Sequence, residues 1–327
     1  MIIVMGVTGT GKSSFLKLLT GNEAIQTSDS ECCTTDVQGY QADVPLNDTT
    51  YRVTFVDTPG FDDDRTGRDD ASILKDVSRW LARAYQNQIK VVGVIYLRRI
   101  TDERPTGAMK RSLKILHEMI GKDNLAIAHM VTNRWEQVAS GDQEKADRRE
   151  QKLLSKDQNW YRLFSAYGAG YSRHDGTYAS ATYIIRKILQ NSPAYLQIQM
   201  QLVDKKMALG DTPAGKVVIC DLEEESRMVR NDIAVVEEEI IAEPEKSEHK
   251  EEEQKLRERL ESLNTEKVEL ETESNESFMR SAKGIGCVFV CGIIIGVGVA
   301  VMPASVAMNA AVVVVAIARK PSIERLC

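Results

Sequence analysis

Gly6-Val7-Thr8-Gly9-Thr10-Gly11-Lys12-Ser13 sets three glycines, a lysine and a hydroxyl within eight residues and matches the pattern G-x-x-x-x-G-K-[ST] completely. Glycines let such a loop curl until main-chain N–H groups face one centre, which suits a phosphate, and a following helix adds its positive end. Lys12 then brings a mobile charge to the outer phosphates, and the Ser13 hydroxyl is a ligand for Mg²⁺. Gly6, Thr8, Gly9, Thr10, Gly11, Lys12, Ser13 and Ser14 form the expected phosphate-binding set.

A second cluster follows a β-rich run: Asp57-Thr58-Pro59-Gly60. A carboxylate at the end of a strand beside the phosphate loop can hold Mg²⁺, usually through water. The Gly60 N–H can meet a γ-phosphate, making the loop sensitive to its loss. Where many switch proteins carry a glutamine that orients the attacking water, Phe61 stands instead. Phenyl cannot orient water, so turnover should be slow, and no catalytic residue is assigned. The run Asp62-Asp63-Asp64 reads as a solvated face.

These residues need a scaffold. Short β-rich runs alternating with helical spacing predict a doubly wound, mostly parallel α/β sheet over residues 1–192. Strands are expected at Ile2–Met5, Tyr51–Val56, Val91–Leu97, Leu125–Val131 and Tyr161–Phe164. Helices are expected around Ile73, Val77 and Leu81, and around Met109, Leu113, Leu116 and Ile120. Ser192-Pro193 marks the expected exit from this domain. Residues 193–283 read as a charged helical arm, in which Leu256, Leu260, Leu263 and Leu270 have heptad spacing interrupted by Lys267. A solvated arm is expected rather than a dimerising coiled coil, with Pro244 splitting any helix near it.

Residues 284–318 carry no charge, while Arg280, Lys283, Arg319, Lys320 and Arg325 flank them. A bilayer core needs only about 20 apolar helical residues, so a membrane hairpin bent near Met302-Pro303, or one tilted span, is expected, ahead of a basic tail at 319–327. The competing reading is a small-residue helical pair docked on the protein itself.

The formal net charge of −6 argues against a general nucleic-acid binder. Six cysteines show neither zinc spacing nor a disulfide framework, and the first strand at Ile2 leaves no room for a signal peptide, so a cytoplasmic, reducing setting is expected.

Gly6–Ser13 with Asp57-Thr58-Pro59-Gly60-Phe61-Asp62 resembles the septin-related GTPases, especially the AIG-type, immunity-associated G domains and their fungal relatives. Val94–Leu97, Arg104, Gly107, Val131–Trp135 and Arg173–Thr177 ahead of Ser180-Ala181 agree with the fungal pattern. The resemblance covers roughly residues 1–190. It implies GTP/GDP as ligand, with Mg²⁺ held by Ser13, Asp57 and a switch threonine, Thr34 in preference to Thr35. Pairing through the nucleotide face to a homodimer or oligomer is also implied. Thr132-Asn133-Arg134-Trp135-Glu136 imitates the guanine-reading N-K-x-D, giving Asn133, Arg134 and Glu136 as base-binding residues, with Trp135 either near the base or in the core. The segment Ser165–Ala169, taken to follow the last strand, supplies the other face through Ala169. His174 reads as a loop-packing histidine. Two alternatives stand beside a GTP-binding switch: a P-loop ATPase, and a membrane-tethered scaffold that holds nucleotide with negligible hydrolysis.

Overall fold

The computed structural model describes residues 1–25, 36–61, 69–103, 105–156, 158–242 and 247–283. Strand β1 (Ile2–Met5) is apolar throughout and buried on both faces, as the central strand of a parallel sheet requires. It lies between β3 (Thr49–Asp57) and β4 (Gly93–Arg99), parallel to both, with Ile2 opposite Phe55 on one side and Gly93 on the other. With β2 (Gln38–Leu46), β5 (Ala128–Asn133) and β6 (Gly170–Arg173), the sheet has the order β2-β3-β1-β4-β5-β6. Only β2 runs antiparallel, paired to β3 as a hairpin.

Helices cover both faces. Beneath one, Phe15, Leu16 and Leu19 of α1 (Lys12–Thr20) meet Ile184, Ile185 and Ile188 of α6 (Tyr178–Ile188) and the sheet residues Ile2, Val4 and Ile95. Beneath the other, Ile73, Leu74, Val77 and Leu81 of α2 (Asp70–Gln86) and Leu113, Leu116 and Ile120 of α3 (Gly107–Ile120) share a core with Ile3, Val94 and Tyr96. Three helix starts are fixed locally by side-chain caps: Asp69 accepts from Ser72 N–H, Thr106 from Met109 N–H and Thr177 from Ser180 N–H, each satisfying an otherwise orphaned donor.

Two expectations are corrected. Tyr161–Phe164 is not a strand. Trp160, Leu163 and Phe164 recur at helical spacing, and Asn159–Leu163 forms α5, with the Trp160 and Phe164 rings stacked at 4.6 Å between centroids. The last strand is instead Gly170–Arg173, which shows no apolar alternation. The run expected at Leu125–Val131 begins as a 3₁₀ helix over Lys122–Ile127, and β5 starts only at Ala128.

Packing also continues past Ser192. Val91 and Ala194 exchange backbone hydrogen bonds of 2.9 and 2.8 Å, and Leu196, Ile198 and Leu202 of α7 (Gln197–Val203) and its lead-in join the core of α2 and α3. Helices α8 (Pro213–Ala242) and α9 (Ser247–Thr272) form a long antiparallel hairpin. Val217, Val218 and Leu222 at its base are buried in that same core. The leucines at heptad spacing turn inward along this hairpin, Leu263 and Leu270 fully buried and Leu256 and Leu260 partly so. Lys267, the break in the stripe, pairs with Glu223 of α8 at 2.5 Å. Helix α10 (Asn275–Lys283) closes back on α2, with Phe278 under the Arg79 guanidinium at 5.5 Å. Among the described residues no helix is long and apolar enough to cross a membrane; Pro244 and the segment 284–318 lie outside the described residues.

Candidate functional site: a glycine-lined loop and its neighbours

Strand β1 is flanked by β3 on one side and β4 on the other, so the strand order reverses there, and the region beyond the carboxyl ends of these parallel strands is where ligands of such sheets bind. The loop Gly6–Gly11 fills its floor. Gly6, Gly9 and Gly11 have φ of 146°, 76° and 85°, a region that costs most L residues. A Cβ on Gly6 would lie 2.5 Å from the Leu97 carbonyl oxygen. Lys12 is 6% exposed, and its ammonium is held at the loop's centre by the carbonyls of Gly6 at 3.1 Å and Val7 at 3.2 Å. Thr10 closes the turn by donating to the Val7 carbonyl at 2.8 Å. Ser14 is exposed in the first turn of α1.

Two of the three expected metal ligands meet. Ser13 Oγ donates to Asp57 Oδ2 at 2.7 Å, although 44 residues separate them. Asp57 is 1% exposed at the end of β3, and the neighbouring Tyr40 hydroxyl is held above its ordinary pKa by burial and then by the negative charge of Asp57. A hydroxyl and a carboxylate side by side are the hard oxygen donors that Mg²⁺ prefers, and beside a ring of glycines they fit a metal-bound phosphate. Thr34 and Thr35 lie outside the described residues. Among those described, no group of three or more His, Cys, Asp or Glu is placed to hold a metal by itself.

Asp57-Thr58-Pro59-Gly60 is fastened to the cradle at both ends. The buried Thr58 hydroxyl donates to the Val4 carbonyl at 2.8 Å. Thr8 gives its N–H to the Phe61 carbonyl at 3.1 Å and its hydroxyl to the Gly60 carbonyl at 3.3 Å. A Cβ on Gly60 would fall 2.4 Å from Thr8 Oγ1 and 2.6 Å from its N and Cα, so glycine is required by close approach. The Phe61 ring is fully buried in the α2–α3 core and is directed away from the crevice.

At the end of β5, Asn133 is 6% exposed and its Nδ2 donates to the Thr10 carbonyl at 2.6 Å. Arg134 turns the chain with φ 63°, Trp135 is half-buried and Glu136 is exposed. The structure brings Asn133 and Arg134 to the rim of the glycine loop, and Glu136 follows two residues on, exposed.

Ala169 is corrected. It precedes β6, where Gly170 pairs with His129 at the start of β5, whereas Arg173 pairs with Thr132 at the far end. At about 3.3 Å per residue, four residues of strand separate the two ends by roughly 13 Å. Ala169 is half-buried against the α2–α3 core. The loop that does reach the crevice end of β5 is 174–177: His174 N–H donates to the Thr132 carbonyl at 2.8 Å. His174 is 5% exposed, lies edge-on to Phe15 at 5.0 Å and bonds Ser180 Oγ at 3.2 Å. Burial holds its imidazole below the ordinary pKa against the pull of Asp175 and Glu136. Sequence reasoning noticed Arg173–Thr177 but misplaced the strand before it. The usable signal was Thr177 with Ser180, a helix cap that fixes the end of that loop.

Residues 1–134 match the family model described as 50S ribosome-binding GTPase, a span that includes the cradle, Asp57, Gly60 and Asn133. No curated protein matches the chain. Among solved structures the chain is similar to Toc33 from Arabidopsis thaliana in complex with GDP and Mg²⁺, at 15% identity over 60% of this chain and 87% of that one, with a TM-score of 0.46. It is also similar to Toc33 from Arabidopsis thaliana in complex with Mg²⁺ and GMPPNP (15% identity, 60% and 87%, TM-score 0.44). A third is translation elongation factor SelB from Methanococcus maripaludis in complex with a GTP analogue (14% identity, 58% and 34%, TM-score 0.37). The glycine loop and the Ser13–Asp57 pair both lie inside the segment that matches this family model.

Proposed function

We propose that the chain is a guanine-nucleotide switch that hydrolyses GTP slowly. The observation that carries this reading is the convergence of Lys12, the Ser13–Asp57 pair and Asn133 on one glycine-lined loop. Main-chain N–H groups and Lys12 would hold the phosphates, and Ser13 and Asp57 would hold Mg²⁺, which offsets charge on the phosphate oxygens when bound. Asn133, Arg134 and Glu136 would face the base. The base edge of guanine offers two adjacent N–H donors, which a carboxylate such as that of Glu136 accepts together; adenine offers no such pair.

Two further parts belong to this reading. Thr34 would complete the metal and γ-phosphate contacts in the GTP state. Slow turnover follows from Phe61, whose side chain is in the core and whose position lacks a group to orient water. Membrane attachment through residues 284–318, on the cytoplasmic side, and pairing through the nucleotide face are proposed from the sequence. Identification of nucleotide in the purified chain, with competition by GTP, GDP and ATP, tests the central claim: bound guanine nucleotide supports it, and a preference for ATP refutes it.

A further inference from the structure

Behind the purine-facing loop runs a closed circuit of side chains that phosphate binding does not require. Trp135 Nε1 donates to Thr132 Oγ1 at 3.2 Å, and the Thr132 hydroxyl shares a 2.7 Å hydrogen bond with the Tyr171 hydroxyl. Tyr171 donates to Glu150 of α4 (Gln143–Leu153). Glu150, 8% exposed, grips the Arg173 guanidinium at two points, Nε to Oε1 at 2.6 Å and NH2 to Oε2. Arg173 returns to the start, its guanidinium 4.1 Å from the centroid of the Trp135 ring. Asp147 adds a second carboxylate to Arg173 at 2.9 Å.

The circuit holds the loop on both sides of its sharpest point. Thr132 and Trp135 bracket Asn133 and the left-handed Arg134, and Glu136 is the next residue out. A guanidinium in a two-point bond with a carboxylate is fixed in plane as well as position, and its flat face over an indole adds a cation–π contact. Burial alone would raise the Glu150 carboxyl, but the Arg173 and Tyr171 donors outweigh it and hold the group below its ordinary range, so the charge that anchors the circuit persists at neutral pH.

We propose that Arg173 is a positioning residue for base selectivity: through Trp135 it fixes the 132–136 loop so that the Glu136 carboxylate meets a purine edge bearing two adjacent N–H donors. The proposal rests on the guanine-nucleotide reading above. It predicts a separation between base and phosphate recognition, because the circuit's bonds run among β5, Trp135, β6 and α4 and are not made through the glycine loop.

Titration of the full chain in Mg²⁺ with GDP, ADP and pyrophosphate tests this, using wild type, R173Q and R173K. In R173Q the preference for GDP over ADP should fall tenfold or more, while pyrophosphate affinity stays within about twofold. R173K keeps a cation over the ring and should retain more of the preference than R173Q. An unchanged GDP preference in folded R173Q overturns the proposal alone, as do equal losses of GDP and pyrophosphate binding. A wild-type chain with no preference for GDP over ADP overturns the guanine reading itself, and the proposal with it.

Discussion

Asn133 reaches across 123 residues of sequence to give its side-chain N–H to the Thr10 carbonyl at 2.6 Å. This bond joins the loop after β5 to the glycine loop, and a Cβ on Gly11 would come within 3.2 Å of the same Asn133 nitrogen. The two loops are thus tied at this point. On the guanine-nucleotide reading, N133A should weaken GDP binding more than pyrophosphate binding, since the proposed base-reading residues begin at Asn133. Equal weakening of both, measured by titration calorimetry, would show that the bond serves only the cradle.

Lys12→Ala removes the charge from the loop's centre. Charge-assisted hydrogen bonds contribute about 1.5–3 kcal/mol each, so losing two phosphate contacts should reduce nucleotide affinity on the order of a hundredfold or more. Circular dichroism should show the fold retained.

Gly60→Ala would press a methyl group against the Thr8 main chain. Relief requires the loop to move off the cradle. A loss of roughly 1–3 kcal/mol in stability is expected, as for other overpacked sites, together with weaker discrimination between GTP and GDP. Denaturant unfolding and nucleotide competition report the two effects separately.

Leu263 is fully buried within its own chain. Leu263→Ala should cost roughly 2–5 kcal/mol. The unfolding midpoint of the wild-type chain, cut before residue 284, should not depend on protein concentration, as it would if this leucine stripe made a coiled coil between chains.

Acid should destabilise the fold through histidine. Burial, with a smaller push from Lys187, lowers the His129 pKa from 6.5 to about 4. Between those values the unfolded chain binds a proton that the native chain refuses, so stability falls as pH drops through 6.5 and the loss is complete near 4. At about 1.4 kcal/mol per pKa unit the total is roughly 3 kcal/mol. His174, lowered in the same direction by burial, adds to it. The pH dependence of unfolding in His129→Gln should be shallower over this window than in wild type.

Much of the site was legible because it is local. The glycines, Lys12 and Ser13 act through main-chain geometry and helix polarity, which eight consecutive residues specify completely, and the buried β1 announces itself by an unbroken apolar run. Asp57 and Gly60 could be read from the strand before them. Edge strands could not. Gln38–Leu46 and Gly170–Arg173 are mostly solvent-facing or half-buried, and their β structure comes from pairing with β3 and β5 rather than from their own side chains.

That distinction decided the purine side of the site. Residues 1–13 and 57–60 determine by themselves a strand, a glycine turn and a helix start bearing Lys12 and Ser13, and a strand end bearing Asp57, since each of these pieces is contiguous in the chain. Only the tertiary structure settled which loop stands beside the end of β5. Strand direction carries Arg173 and His174 to the crevice and leaves Ala169 at the far end. It also turned the spaced leucines of α9 inward on α8, because an apolar stripe states that it must be covered while the covering partner is fixed by where the chain returns.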